Sequence, residues 1–293
     1  MYKWIKELNF ITFAVERQIA RITLNRPEKR NALSVAMILE LSDALREADD
    51  RLDVSVIIIE GAGGNFCSGY DVTEGSYATK HHDPNIRYRS DVHSVENDYW
   101  TLREQQAPLA HVFDVHKPVI AKIEGYCLAG GCELALMCDI LLAANDAQLG
   151  HPGVRGLGTP PNNFWLYHVG PQWAKRMLLT GDRISGKNAA KIGMVLRAFP
   201  TARLEGEVMK LARQMCNIDA ELLAANKRAV NLGLEMAGAR HMLGLTPELD
   251  ARSHVAQGPH KDALWAAMQA KGAVPAFRER DASFGDGMIE VDD

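Results

Sequence analysis

Apolar and polar positions along the chain alternate first with a strand period and then with a helix period. Residues 11–25 hold two short extended runs. From Gln18 to Asn25 the alternation puts Ala20, Ile22 and Leu24 on one face, and Asn25-Arg26-Pro27 breaks it. Leu33 to Ala48 carries Leu33, Met37, Leu41, Ala44 and Leu45 at helical spacing, with Ser34 as the N-cap. Val54 to Ile59 is an unbroken, largely β-branched run, the pattern of a strand buried on both faces, and it ends in Gly61-Ala62-Gly63-Gly64. A second such strand, Pro118 to Ile123, stops at Gly125. A short helix from about Gly131 to Cys138 and a strand from Ile140 to Ala144 follow.

Strands alternating with helices predict an α/β domain with crossover connections. Beyond Pro200 the pattern turns helical: Leu204 to Met215, Ala220 to Leu234 and Ala263 to Ala270. The expected organisation is a mixed core over residues 1–200 and a helical C-terminal region over 201–293. Val72 to Trp100 fits neither part. It contains Glu74, His81, His82, His93, Tyr77, Tyr88 and Tyr99 with little periodicity, and reads as a long loop, functional or disordered.

Composition narrows the function. A formal charge of -4 over 293 residues argues against nucleic acid as the main partner. No apolar run reaches the length of a membrane span. The cysteines Cys67, Cys127, Cys132, Cys138 and Cys216 form no CxxC pair and read as small core residues in a reducing, cytoplasmic protein. The histidines show no metal-ligand spacing, so no metal is expected.

Two strand-to-loop junctions concentrate the chemistry. One is Asn65-Phe66-Cys67-Ser68-Gly69-Tyr70-Asp71; the other runs from Glu124 through Ala129-Gly130-Gly131-Cys132-Glu133 to Asp139. In the second, small residues lead directly into a helix start. Backbone N–H groups there have no intrahelical partner, and small residues let a ligand approach them. Such a site stabilises a developing oxyanion.

Together these segments resemble the crotonase, or enoyl-CoA hydratase/isomerase, superfamily. The likeness extends to Ile22–Leu33 at the start, to Pro171–Gly193, and to Phe277-Arg278-Glu279-Arg280 with Phe284 near the end. It implies a spiral of ββα turns with a helical C-terminal region, assembled as homotrimers or homohexamers. It implies an acyl-CoA thioester as substrate, with no cofactor beyond the coenzyme A of the substrate itself. The oxyanion hole would be the N–H groups of Ser68 and Gly130, and Glu133 the acid/base group. Arg26, Lys29 and Arg30 would bind the adenine–phosphate end with help from Arg278 and Arg280. Cys67, Tyr70 and Asp71 would border the substrate, with Asp71 also reading as a loop cap.

The pattern departs from the family after Gly150-His151-Pro152. A hydratase of this family uses a second glutamate there, and this chain has Gly153, followed by Asn162 and Asn163 where the family has a glycine-rich turn. A backbone amide cannot relay a proton at neutral pH, so the second group must come from elsewhere. His151 is the nearest candidate. Arg155 could bind a second carboxylate on the acyl group. The expected activity is hydration of a 2-enoyl-CoA in acyl-CoA degradation. The alternatives are a single-carboxylate isomerase, a ring-opening C–C hydrolase of a cyclic β-keto acyl-CoA, and a catalytically silent acyl-CoA or RNA binder.

Overall fold

A computed structural model describes residues 2–72 and 94–292. The elements in the first half are β1 (Ile11–Glu16), β2 (Ile19–Leu24), α1 (Val35–Asp50), β3 (Val56–Gly61), α2 (Val95–Asp114), β4 (Val119–Ile123), β5 (Tyr126–Leu128), α3 (Gly130–Leu136), β6 (Ile140–Ala144) and β7 (Gln148–Gly150). They are followed by α4 (Trp165–Thr180), β8 (Arg183–Ser185), α5 (Gly186–Lys191), β9 (Arg197–Phe199), α6 (Thr201–Met215), α7 (Ala220–Met236), α8 (Ala239–Val255), α9 (Pro259–Lys271), α10 (Ala273–Asp281) and β10 (Met288–Ile289).

The strands form two sheets, ordered β1-β2-β3-β4-β6-β9 and β10-β8-β7-β5. β1 and β2 make an antiparallel hairpin with Ile11 opposite Leu24, and every later pairing in the first sheet is parallel. Val56, Ile57, Ile58 and Ile59 of β3 are all fully buried, as a strand covered on both faces requires. α1 starts where Ser34 caps it, its side chain accepting the Met37 N–H at 3.2 Å.

α6 begins directly after Pro200 and packs on β4 and β6. Arg21 and Lys122 of the sheet reach Glu205 of α6 at 2.6 and 2.7 Å. The C-terminal region is thus bound to the core by both packing and ion pairs. It is not wholly helical: β10 returns to pair in parallel with β8.

One expectation from the pattern fails. Residues from Val95 onward are not loop but the first turns of α2, capped by the Ser94 side chain, which accepts the Asn97 N–H at 3.2 Å. α2 packs against α1 and α8 and buries Asp98, Gln105 and Gln106 along with its apolar residues. A helix whose buried face is that polar has weak hydrophobic periodicity, which hides it from pattern reading. Glu74, Tyr77, His81, His82, Tyr88 and His93 lie outside the described residues.

Candidate active site

β5 is followed by Ala129, whose φ of 46° is rare for a residue with a Cβ, and α3 starts at the next residue. The turn is held from both sides. Ala129 N–H donates to Gly150 O at 2.8 Å, and Leu128 N–H to Cys67 O at 2.9 Å. The two glycines that follow are required by close approach. A Cβ on Gly131 would lie 2.4 Å from Cys67 O, and one on Gly130 would lie 2.7 Å from the Tyr70 ring.

One turn into α3, Glu133 is completely buried. Both carboxylate oxygens are engaged: Oε1 with His151 Nε2 at 3.0 Å, and Oε2 with the Tyr70 hydroxyl, which donates at 2.7 Å. Tyr70 in turn accepts from Gln106 Nε2 at 2.7 Å, and Gln106 Oε1 accepts from Asn162 Nδ2 at 3.3 Å. Four separate stretches of chain therefore fix one carboxylate. A carboxylate held on both oxygens is fixed in orientation for proton transfer.

His151 follows β7, and its ring meets Trp165 edge-on at 6.4 Å between centroids. Its Nδ1 is buried without a hydrogen-bond partner, as are Asn162 Oδ1, Asn163 Oδ1 and Trp165 Nε1. Buried polar atoms are rarely left unpaired, so this set marks where a polar ligand or water belongs.

The sequence profile of the enoyl-CoA hydratase/isomerase family matches residues 14–258. Among its relatives, the chain is 33% identical over 233 residues to a probable mitochondrial enoyl-CoA hydratase of Dictyostelium discoideum, covering 78% of each. It is 32% identical over 226 residues to the crotonyl-CoA hydratase of Syntrophomonas wolfei, covering 75% of this chain and 80% of that one. A crystal structure of an enoyl-CoA hydratase from Mycobacterium smegmatis superposes with a TM-score of 0.86 at 33% identity, over 96% of this chain and 97% of the other. The chain belongs to the enoyl-CoA hydratase/isomerase family.

Its fold is accordingly that of the crotonase superfamily, with a C-terminal helical region. Within this family member, several residues singled out from sequence take other places than expected. Ser68 is one: its N–H donates to Arg30 O at 3.0 Å and so is committed to the loop. The Gly69 carbonyl accepts from Leu33 N–H at 2.8 Å, so the Tyr70 N–H in the same trans peptide plane points away from Leu33. Gly69 itself abuts Ala129, its Cβ position lying 3.7 Å from Gly130 N. The Gly130 N–H, first in α3, has no carbonyl within the helix to bond.

Arg155 is also corrected. Its guanidinium is buried, with Nη2 on Asp182 at 2.6 Å, Nη1 on Asp281 at 3.1 Å, Nε on Thr180 O at 2.8 Å, and Phe284 stacked on it at 3.9 Å. It ties α10 to the end of α4 and is not available to a substrate carboxylate. Arg26 is buried as well, donating to Ala32 O at 2.9 Å and to Asp71 at 3.0 Å. Asp71 is buried and held by Arg26 at 3.0 Å and by Lys29 at 3.1 Å. Cys67 is fully buried, and burial pushes its thiol up to about 12, so it is packing beneath the helix start. Lys29 is half-buried and Arg30 exposed, the latter 5.1 Å over the Tyr126 ring. Gly153 is buried, and a Cβ there would meet only the His151 ring, at 3.0 and 3.2 Å.

Sequence reading missed Gln106, which carries the Tyr70 arm of the network, and gave Tyr70 only a lining role. The Gln105-Gln106 pair could have signalled a polar buried face, had α2 been recognised as a helix.

Proposed function

We propose that this chain hydrates the double bond of a 2-enoyl-CoA thioester. The observation that carries the reading is the Glu133 carboxylate, buried and held on both oxygens, one turn inside a helix whose first N–H belongs to Gly130. The thioester oxygen would accept from the Gly130 N–H and from the Tyr70 N–H across the Gly69 turn. Two such donors in a water-poor site stabilise the enolate that forms when water attacks the β-carbon. Glu133 takes the proton of the attacking water, and His151 and Tyr70 hold it in place. The adenine–phosphate end lies by Lys29 and Arg30, where cations suit phosphate. No further cofactor enters this chemistry. Assembly as a homotrimer or homohexamer in the cytoplasm is part of the same proposal.

A second reading rests on Gly153. Gly153 supplies no carboxylate, and the His151 ring, 3.0 Å from where a Cβ would lie, crowds the position, which suits an isomerase or a ring-opening hydrolase working with Glu133 alone. The test is a panel of linear and cyclic acyl-CoA thioesters followed by mass spectrometry. Gain of one water on linear enoyl-CoA supports hydration. Rearrangement without mass change, or water gain only on cyclic β-keto thioesters, moves the assignment to the second reading. Binding with no turnover of any thioester rejects both.

A further inference from the structure

Adding water across a double bond requires two proton transfers. The attacking water loses a proton as its oxygen bonds to the β-carbon, and the π pair, shifted to the α-carbon, takes one up. Glu133 can serve one transfer. Gly153 has no group to offer.

A second buried assembly stands behind the loop that leaves His151. His254 of α8 lies between two aspartates, with Nδ1 on Asp98 Oδ2 at 2.6 Å and Nε2 near Asp250 Oδ1 at 3.4 Å. Asp98 and Asp250 are buried. Asp250 Oδ1 also accepts the Thr159 N–H at 2.8 Å. The loop is shaped to admit the pair. A Cβ on Gly158 would fall 2.4 Å from Asp250 Oδ1 and 2.7 Å from His254 Nε2, and the Gly158 N–H donates to Gly153 O at 3.2 Å.

The two assemblies share their supports. α2 supplies Asp98 to this one and Gln106, about two turns along the same face, to the Glu133 network. Asp250 lies close enough to Glu133 and His151 to feel their charges. Independently, Asp98 Oδ1 is buried with no hydrogen-bond partner, so the assembly has an acceptor left over for a water or a ligand group.

We propose that Asp250 is the second proton-transfer group of this site, acting through a bound water, with His254 and Asp98 as its positioning residues. The inference rests on the hydratase reading above. In the step, the C–O bond forms at the β-carbon and the water proton goes to Glu133. The α-carbon receives a proton from the Asp250–His254 pair through the water, and the proton on Glu133 returns to the pair through solvent after product leaves. Among the described residues, the groups that set the pair's titration include Asp98 of α2, Glu133 of α3, His151 after β7 and Lys261 of α9, whose ammonium donates to His254 O at 2.7 Å.

The experiment compares wild type, D250N and G158A with crotonyl-CoA, measuring kcat and KM from pH 5 to 9. The Gly158→Ala methyl displaces the same pair without removing a charge, and serves if Asp250→Asn does not fold. Expected is a fall in kcat of about 10²–10⁴-fold with little change in KM, and loss of one limb of the pH–rate profile. D250E should restore part of the rate. A folded D250N, or a folded G158A should D250N not fold, that retains wild-type kcat and both limbs overturns the proposal. Wild type that hydrates no enoyl-CoA overturns the hydratase reading instead, a result visible before any variant is made.

Discussion

Glu133 and Asp250 are both buried carboxylates beside a histidine, yet they are built differently. Glu133 sits in a short helix whose start is dictated by its neighbours in sequence, and both its oxygens are hydrogen-bonded. Asp250 comes from a helix more than a hundred residues later, and its burial is less well compensated. Burial is the main cause that pushes its carboxyl up to about 6, only partly opposed by the nearby His254. Burial also acts against the charged form of His254, but the Asp98 bond and the Asp250 charge win and raise it. The first carboxylate is held on both oxygens by hydrogen-bond partners, whereas burial raises the second to about 6. Two carboxyl groups in environments this different can divide base and acid roles.

The strongest way to break this comparison is Glu133→Gln. It should lower turnover by about 10²–10⁴-fold or more while acyl-CoA binding measured by calorimetry persists, because the oxyanion donors are backbone. Full activity in that variant would overturn Glu133 as the proton-transfer group. Arg155→Leu tests whether a buried charge outside both networks is structural. It should cost about 3 kcal/mol in urea unfolding, since Asp182 and the Thr180 carbonyl lose a buried partner, and leave KM for acyl-CoA unchanged.

The third variant, Asp250→Asn, should change stability in the opposite direction. Its carboxyl lies near 6 in the folded protein and at the ordinary 3.8 when unfolded, so the folded state holds more protons between those values. Stability therefore falls as pH rises through that window, and the deficit persists above it. The raised His254 acts with the same sign at higher pH. Asp250→Asn should gain about 1–3 kcal/mol at pH 7.5, with the gain shrinking toward pH 4. A destabilised variant at pH 7.5 would mean that the aspartate is a structural anchor. The smallest effect is expected at the entrance. Lys29→Gln with Arg30→Gln should raise KM for acyl-CoA about threefold to tenfold, roughly 1 kcal/mol for exposed charges, with kcat held.

Much of the core was legible from pattern alone. The β-branched run ending at Ile59, the Ser34 cap and the switch at Pro200 correspond to β3, α1 and the start of α6. The Ala129–Glu133 helix start was equally legible, because small residues before a carboxylate leave few other conformations. The loop that carries Ser68 was less legible. Which N–H of Ser68, Gly69 and Tyr70 faces α3 depends on how Leu33 and Arg30 pair with the loop, and no local rule states that. The basic cluster misled for a related reason: Arg26 carries the same charge as Arg30, but only the fold buries one against Asp71 and leaves the other exposed.

Local pattern thus settled the strands and the helix start, because hydrogen-bond ladders, capping and periodic burial involve residues a few positions apart, while Glu133 was singled out by the family resemblance. The environment of Glu133 was decided by tertiary packing. Tyr70, Gln106, His151 and Asn162 reach it or each other across 18 to 63 residues, and Asp98 meets His254 across 156. The Gln106 contacts need α2 in place, and the Asp98–His254 contact needs α2 packed on α8. A buried polar side chain then takes whichever partner the packing presents, because leaving it unpaired costs more than any preference written in its neighbours.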